Sequence, residues 1–172
     1  MSTTTKEKIG YLILNTGTPD APTIPALKSY LKEFLSDPDM LDYPSTRPAE
    51  LAKGFDKVKN FISVILRWVI LNLIVLPFRP AKIQEKYEGI WTEEGSPLLV
   101  NTIKFVDKLK KYTNGNVEIG MRYGNPSIEN ALKKLMLSGT QKLFLVSMFP
   151  QYAQATSGST FDEVYRVLGE LD

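Results

Sequence analysis

Apolar and polar positions alternate along this chain between two rhythms. Ile9-Gly10-Tyr11-Leu12-Ile13-Leu14 is a short apolar run closed by Asn15-Thr16-Gly17-Thr18-Pro19, which predicts a buried strand and a turn. Ile24, Leu27, Leu31, Phe34 and Leu35 then recur at helical spacing, and Ser36-Asp37-Pro38 stops that helix. Residues 39 to 60 are mixed, with Pro44 and Pro48 as breaks. Phe61 to Leu76 is densely apolar, interrupted by Arg67 and Asn72, and Pro77 and Pro80 are expected to end it before a helix resumes near Lys82 to Tyr87.

Ser96-Pro97 is a helix start, with Ser96 placed to cap and Pro97 at the first helical position. Leu98, Leu99, Ile103, Phe105, Val106 and Leu109 give the following helix a broad apolar face. Asn114-Gly115-Asn116 is a turn before a strand at Val117–Met121. Asn125 to Glu129 opens another helix, Gly139 sits where its C-terminal cap belongs, and residues 142 to 148 form a third strand. A last helix from Thr160 carries Phe161, Val164, Tyr165, Leu168 and Leu171 on one side. Strands alternating with helices imply an α/β fold on a parallel sheet. The last helix should cross over to a further strand, so the pattern looks unfinished at Asp172.

Composition narrows the chemistry. The chain has 172 residues, 43% hydrophobic and 23% charged, which suits one globular domain or a small domain with an appendage. A net charge of +2 without a basic run gives no reason to expect nucleic acid. There is no cysteine, so disulfides and thiolate metal sites are excluded. There is no histidine either, so no Ser/His/Asp or Cys/His set can be built and the usual borderline metal ligands are missing. The polar N-terminus leads straight into the first strand and is not expected to be a signal peptide. Neither G-x-x-x-x-G-K-[ST] nor G-x-G-x-x-G after a strand is present, so a nucleotide site is not expected.

In an open parallel sheet, ligands bind beyond the carboxyl ends of the strands. The loops expected there are Asn15 to Pro19, Arg122 to Pro126 and Phe149 to Ser159. They bring Thr16, Arg122, Tyr123, Phe149, Gln151, Tyr152, Thr156 and Ser157 to one rim, a mixture suited to a flat apolar ligand with acidic edges. Each loop alone is ordinary turn chemistry. The apolar segment with Trp68, Leu71, Leu73, Ile74 and Phe78 reads either as a core helix or as a greasy lip touching a membrane; it is too short and polar for a span. Arg79 and Lys82 directly behind it are solvated cations or partners for ligand carboxylates. Gly95-Ser96-Pro97 reads as a plain cap more readily than as an anion site, since Glu93 and Glu94 stand beside it.

Taken in order, Leu14 to Pro19, Phe34 to Pro38, Leu76 to Pro80, Ile90 to Leu99, Met121 to Pro126 and Phe149 to Ser159 resemble the N-terminal half of the ferrochelatases, which insert ferrous iron into a porphyrin. The resemblance implies a chelatase-like fold: a Rossmann-like parallel sheet with flanking helices, the first of two similar domains with porphyrin between them. On that basis residues 1–172 form an N-terminal domain with an apolar lip at 61–78, and the C-terminal catalytic domain is absent. The resemblance places Thr16 in the first loop facing the macrocycle. It places Tyr87 and Ser96 near the porphyrin edge, Arg79 and Lys82 at the propionates, and Arg122 with Tyr123 in the inner pocket. Phe149 stands where relatives often have Tyr, which leaves stacking without a hydroxyl.

The family's principal histidine and glutamate belong to the second domain. No catalytic residue and no metal ligand are therefore expected in this chain, and ferrous iron enters only as substrate, with no cofactor. The expected partners are porphyrin, the missing C-terminal half and a peripheral membrane contact, in the cytoplasm or at the inner membrane. The chain alone, whether a fragment or one part of a split enzyme, is expected to be inactive. The rival readings are a non-catalytic porphyrin- or haem-binding module and a peripheral membrane-binding assembly domain.

Overall fold

Three parallel strands make the sheet, in the order β2-β1-β3. The computed structural model describes residues 7–37 and 68–171. The sequence reading of 39 to 60 and the first part of the apolar segment, 61 to 67, lie outside these residues. β1 (Ile9–Thr18) is the central strand. It pairs with β2 (Asn116–Gly124) from Gly10↔Asn116 to Thr18↔Gly124, and with β3 (Lys142–Ser147) from Ile9↔Lys142 to Leu14↔Ser147. A buried central strand accepts apolar residues on both faces, which is why Leu12, Ile13 and Leu14 run without alternation and are all fully buried.

Helices cover both faces. On one, Leu12 and Leu14 pack against Ile128, Ala131, Leu132 and Leu135 of α4 (Ile128–Leu137) and Val164 and Val167 of α5 (Ser159–Leu171). On the other, Ile13 and Val117 meet Val106 of α3 (Pro97–Leu109). A smaller cluster joins α1 (Ile24–Ser36) to the long helix after it, through Leu31, Leu71 and Leu76. Each fully buried aliphatic side chain removes apolar surface worth roughly 1.5–3 kcal/mol from water. The result is the open, parallel α/β sheet that the alternation of elements implied.

Several expectations change. Asn15 to Thr18 and Arg122 to Gly124 are strand rather than loop. Pairing persists because Gly17, at φ 102°, brings β1 so close to β2 that a Cβ there would lie 1.8 Å from the Tyr123 carbonyl oxygen. Pro77 and Pro80 do not end the apolar helix. It runs as a π-helical stretch (Ile70–Val75) into α2 (Leu76–Ile90), with Pro80 inside. The Leu76 amide donates five residues back to Leu71, so the ladder is already shifted where two prolines withhold their donors.

Two helix faces also differ from expectation. On α3, Ile103 and Phe105 are exposed while Thr102 and Val106 are buried. On α5, Tyr165 faces solvent and Val167 takes the core position. The Thr102 hydroxyl is accommodated by donating to the Leu98 carbonyl at 2.7 Å.

Candidate functional site

All three strands point their carboxyl ends the same way, so the segments that leave them share one rim. Beyond β1 lies Pro19, beyond β2 Asn125 and Pro126, and beyond β3 Phe149 and a π-helical turn (Gln154–Gly158) that leads into α5. The strands hold these pieces rigidly and a web of side chains ties them together. The Ser147 and Ser157 hydroxyls are 3.2 Å apart, and Thr18 Oγ1 donates to Ser96 Oγ at 2.8 Å. Asn15 Nδ2 reaches Thr102 Oγ1 at 3.4 Å.

The strongest cluster is on the β2 side. Arg122 Nη2 and the Tyr123 hydroxyl each donate to Asp37 Oδ2 at 2.6 Å, and Ser159 Oγ donates to the same oxygen. Arg122 Nε donates to Ser159 Oγ at 2.7 Å and to its carbonyl at 3.1 Å. Tyr30 and Phe34 of α1 meet the Tyr123 ring edge-on, with centroids 6.4 and 5.2 Å away. Burial first, and then the hydrogen bond to Asp37, pushes the Tyr123 hydroxyl well above the ordinary tyrosine range. Burial does the same to Tyr30, reinforced by neighbouring Tyr87 and Glu33, and burial raises Tyr87 as well. All three are neutral phenols at physiological pH.

The eight expected ligand residues thus fall into three groups. Arg122 and Tyr123 sit together, Arg122 with 19% of its side chain accessible and Tyr123 only 2% exposed. Thr16 and Phe149 are half-buried on the rim, while Ser96 is buried beneath it and engaged by Thr18. Arg79, Lys82 and Tyr87 lie on α2, where Arg79 and Lys82 are exposed and Tyr87 is half-buried near Tyr30. Asp37, read from the sequence only as a helix stop, was missed. Its one signal is a carboxylate directly after an amphipathic helix, and nothing in the local pattern says that it turns inward.

A cavity of about 670 Å³ opens on the rim between α3 and α4, lined by Pro19, Trp91, Ser96, Leu99, Ile103, Asn125 and Lys133 among others. A second, of about 690 Å³, lies at the opposite end of the sheet around Ile9, Tyr11, Tyr112 and Asn116. The rim is the better candidate despite the similar volumes, because the amino ends of parallel strands gather neither the loops nor the charged cluster. Along the helix before the rim, Trp68, Leu73, Ile74 and Phe78 are 57–63% exposed, a contiguous apolar surface. Leu71, expected with them, is instead in the α1–α2 cluster at 8% exposure.

Among the described residues no helix is long and apolar enough to cross a membrane. Nor does any group of three or more Asp and Glu among them form a metal site.

A three-stranded parallel sheet with flanking helices is an α/β architecture of the chelatase class. The sequence model of the Ferrochelatase family matches residues 55–172, and the chain belongs to that family. It is 41% identical over 159 residues to a ferrochelatase of Coxiella burnetii (strain RSA 493 / Nine Mile phase I), covering 91% of this chain and 40% of that protein. It is 41% identical over 170 residues to the ferrochelatase of Chromobacterium violaceum, covering 95% and 42%. Against the ferrochelatase of Hamiltonella defensa the figures are 40% over 164 residues, 95% and 46%. The chain therefore spans less than half the length of these relatives.

Proposed function

We propose that this chain is the porphyrin-binding half of a ferrochelatase and works with a C-terminal half that supplies the catalytic base. The observation that carries the reading is the coincidence of a family match over 55–172 with a rim of half-buried aromatic, hydroxyl and cationic groups at the carboxyl edge of the sheet. In the reaction ferrous iron, the metal substrate, replaces two pyrrole protons of a dicarboxylic porphyrin, giving haem and two protons. Arg79 and Lys82 meet the ligand's carboxylates, and Thr16, Tyr87 and Phe149 line the macrocycle. Arg122 and Tyr123 stand at the inner pocket, and Ser96 supports the porphyrin edge from beneath.

Removal of the two pyrrole protons needs a base at the ring centre. The chain has no histidine, and Asp37, the one buried carboxylate of the rim among the described residues, already accepts three hydrogen bonds. The ring must also be bent so that its nitrogen lone pairs face the metal, which takes a wall on each side. This half supplies one wall. Iron-insertion assays with the purified chain, alone and mixed with the C-terminal half of a relative, test this. Porphyrin binding without turnover by the chain alone is expected, and turnover by the chain alone overturns the division of labour.

The exposed Trp68, Leu73, Ile74 and Phe78 favour a second property, peripheral contact with a membrane surface from the cytoplasmic side. Co-sedimentation with liposomes tests it. A chain that pellets with vesicles yet leaves the porphyrin absorption unchanged would be a membrane-binding assembly domain instead. Porphyrin binding that persists without any gain of turnover on adding a C-terminal half would make it a non-catalytic porphyrin- or haem-binding module.

A further inference from the structure

Asp37 follows α1 with extended backbone, and its side chain is 1% exposed. One of its oxygens collects three donors from two distant parts of the chain, Arg122 and Tyr123 of β2 and Ser159 of α5. Ser159 in turn accepts from Arg122 Nε, so Asp37, Arg122 and Ser159 close a ring that grips the guanidinium on two sides. Arg122 keeps 19% of its side chain accessible, and its Nη1 makes no hydrogen bond among the described residues. Its charge is another matter. The carboxylate lies 2.6 Å away, and Glu33, Glu129 and Glu163 line the same cavity of about 390 Å³. Among the described residues an anionic ligand meets no net positive charge here, and Arg79 and Lys82 make no ion pair.

We propose that Asp37 is a positioning residue for this rim: it fixes Arg122 in one orientation and cancels its charge. Arg122 then faces a tetrapyrrole as an oriented, electrically balanced donor, and the ligand's carboxylates are left to other cations. The proposal rests on the porphyrin reading above for its ligand but not for its geometry.

Two measurements test it on the full chain. The first needs no ligand: the ¹⁵N-labelled resonance of the Arg122 Nη2–H that donates to Asp37, assigned by its loss in Arg122→Gln. A sharp, slowly exchanging signal is expected, with exchange faster by about 10-fold or more in Asp37→Asn, since a charge-assisted bond is removed. The second is the salt dependence of protoporphyrin IX binding, followed by its Soret band below the melting temperature of each variant. Asp37→Asn uncovers a positive charge, so binding should weaken more steeply with salt than in the unaltered chain. Arg122→Gln uncovers a negative charge and should make the dependence shallower, and the double variant should return to the original slope.

A fold defect alone lowers the melting temperature without moving these slopes in opposite directions. If Asp37→Asn does not fold, Arg122→Gln carries the slope test by itself. Unchanged slopes in the variants that fold, or an Arg122 signal indifferent to Asp37→Asn, overturn the proposal. If the unaltered chain binds no protoporphyrin IX, the porphyrin reading falls and takes the ligand part of the proposal with it. The Arg122 resonance still decides whether Asp37 positions that side chain.

Discussion

Thr18 donates its hydroxyl hydrogen to Ser96 at 2.8 Å, and both side chains are buried. The bond ties the end of β1 to the start of α3, where Ser96 stands at the N-cap position without capping the helix through its side chain. Replacing Ser96 by Ala strands the Thr18 hydroxyl. A buried group left without its partner costs about 1–3 kcal/mol, whereas removing both partners can be nearly neutral. Ser96→Ala should therefore lower the melting temperature, and Thr18→Val with Ser96→Ala should recover part of the loss. Thermal melts of the two variants check this, and a double variant no more stable than the single one would show that the hydroxyl pair is not the cause.

Gly17 makes a sharper prediction. Its φ of 102° is strained for any other residue, and an added Cβ would stand 1.8 Å from the Tyr123 carbonyl oxygen. Gly17→Ala must push the ends of β1 and β2 apart, in the segment that carries Thr16, Arg122 and Tyr123. Backbone incompatibility of this kind costs more than the ~1 kcal/mol of an ordinary glycine substitution. The variant should be poorly soluble or should melt far below the unaltered chain. Gly89→Ala is the control, because a Cβ there meets nothing within 4 Å and the site lies in a helix, where Ala is favoured.

The buried phenols give stability an alkaline edge. Tyr30 and Tyr123 have hydroxyl pKa values raised in the folded chain, mainly by burial, while the unfolded chain ionises them near the ordinary value of about 10. Their contribution is fully present below that value. It is lost as pH rises from there toward the folded pKa, because only the unfolded state then releases the proton. Urea midpoints should fall between about pH 10 and pH 11.5. The fall should be less steep in Tyr123→Phe, which is also less stable at neutral pH because Asp37 loses a donor. A midpoint flat across that window would contradict the assignment.

The sheet and most of its helices were legible in the sequence because burial there follows simple periods. Leu12, Ile13 and Leu14 form a continuous run, and Leu27 and Leu31 recur at helical spacing. Helix α4 was marked at both ends, by the Asn125 to Glu129 opening, where the Ser127 side chain accepts from the Asn130 amide, and by Gly139 at φ 76°. What local pattern missed was tertiary. Pro77 and Pro80 read as stops because proline withholds a donor, but a π-helical turn just before them rearranges the ladder. Asp37 read as punctuation because Arg122, Tyr123 and Ser159, which donate to it, lie 85 to 122 residues away. The rim residues read as loops, although Asn15 to Thr18 and Arg122 to Gly124 are strand. That Tyr123 and Ser96 turn inward depends on which neighbour each one meets, and no spacing rule carries that.

The apolar helix before α2 shows how the same distinction decides an experiment. Leu71 and Trp68 look alike in a hydropathy profile, yet Leu71 is 8% exposed against Leu31 and Leu76 while Trp68 is 61% exposed. Truncating Leu71 to Ala leaves a cavity in a packed cluster and should cost about 2–5 kcal/mol. Ser at Trp68, Ile74 and Phe78 replaces side chains that are 57–63% exposed, so stability should stay within roughly 0.5 kcal/mol per site. If this surface meets lipid, the triple variant should lose co-sedimentation with anionic liposomes while melting like the unaltered chain, and Leu71→Ala should do the reverse. A triple variant that still pellets with vesicles would remove the membrane role from this helix and leave its exposed face to a protein or ligand contact.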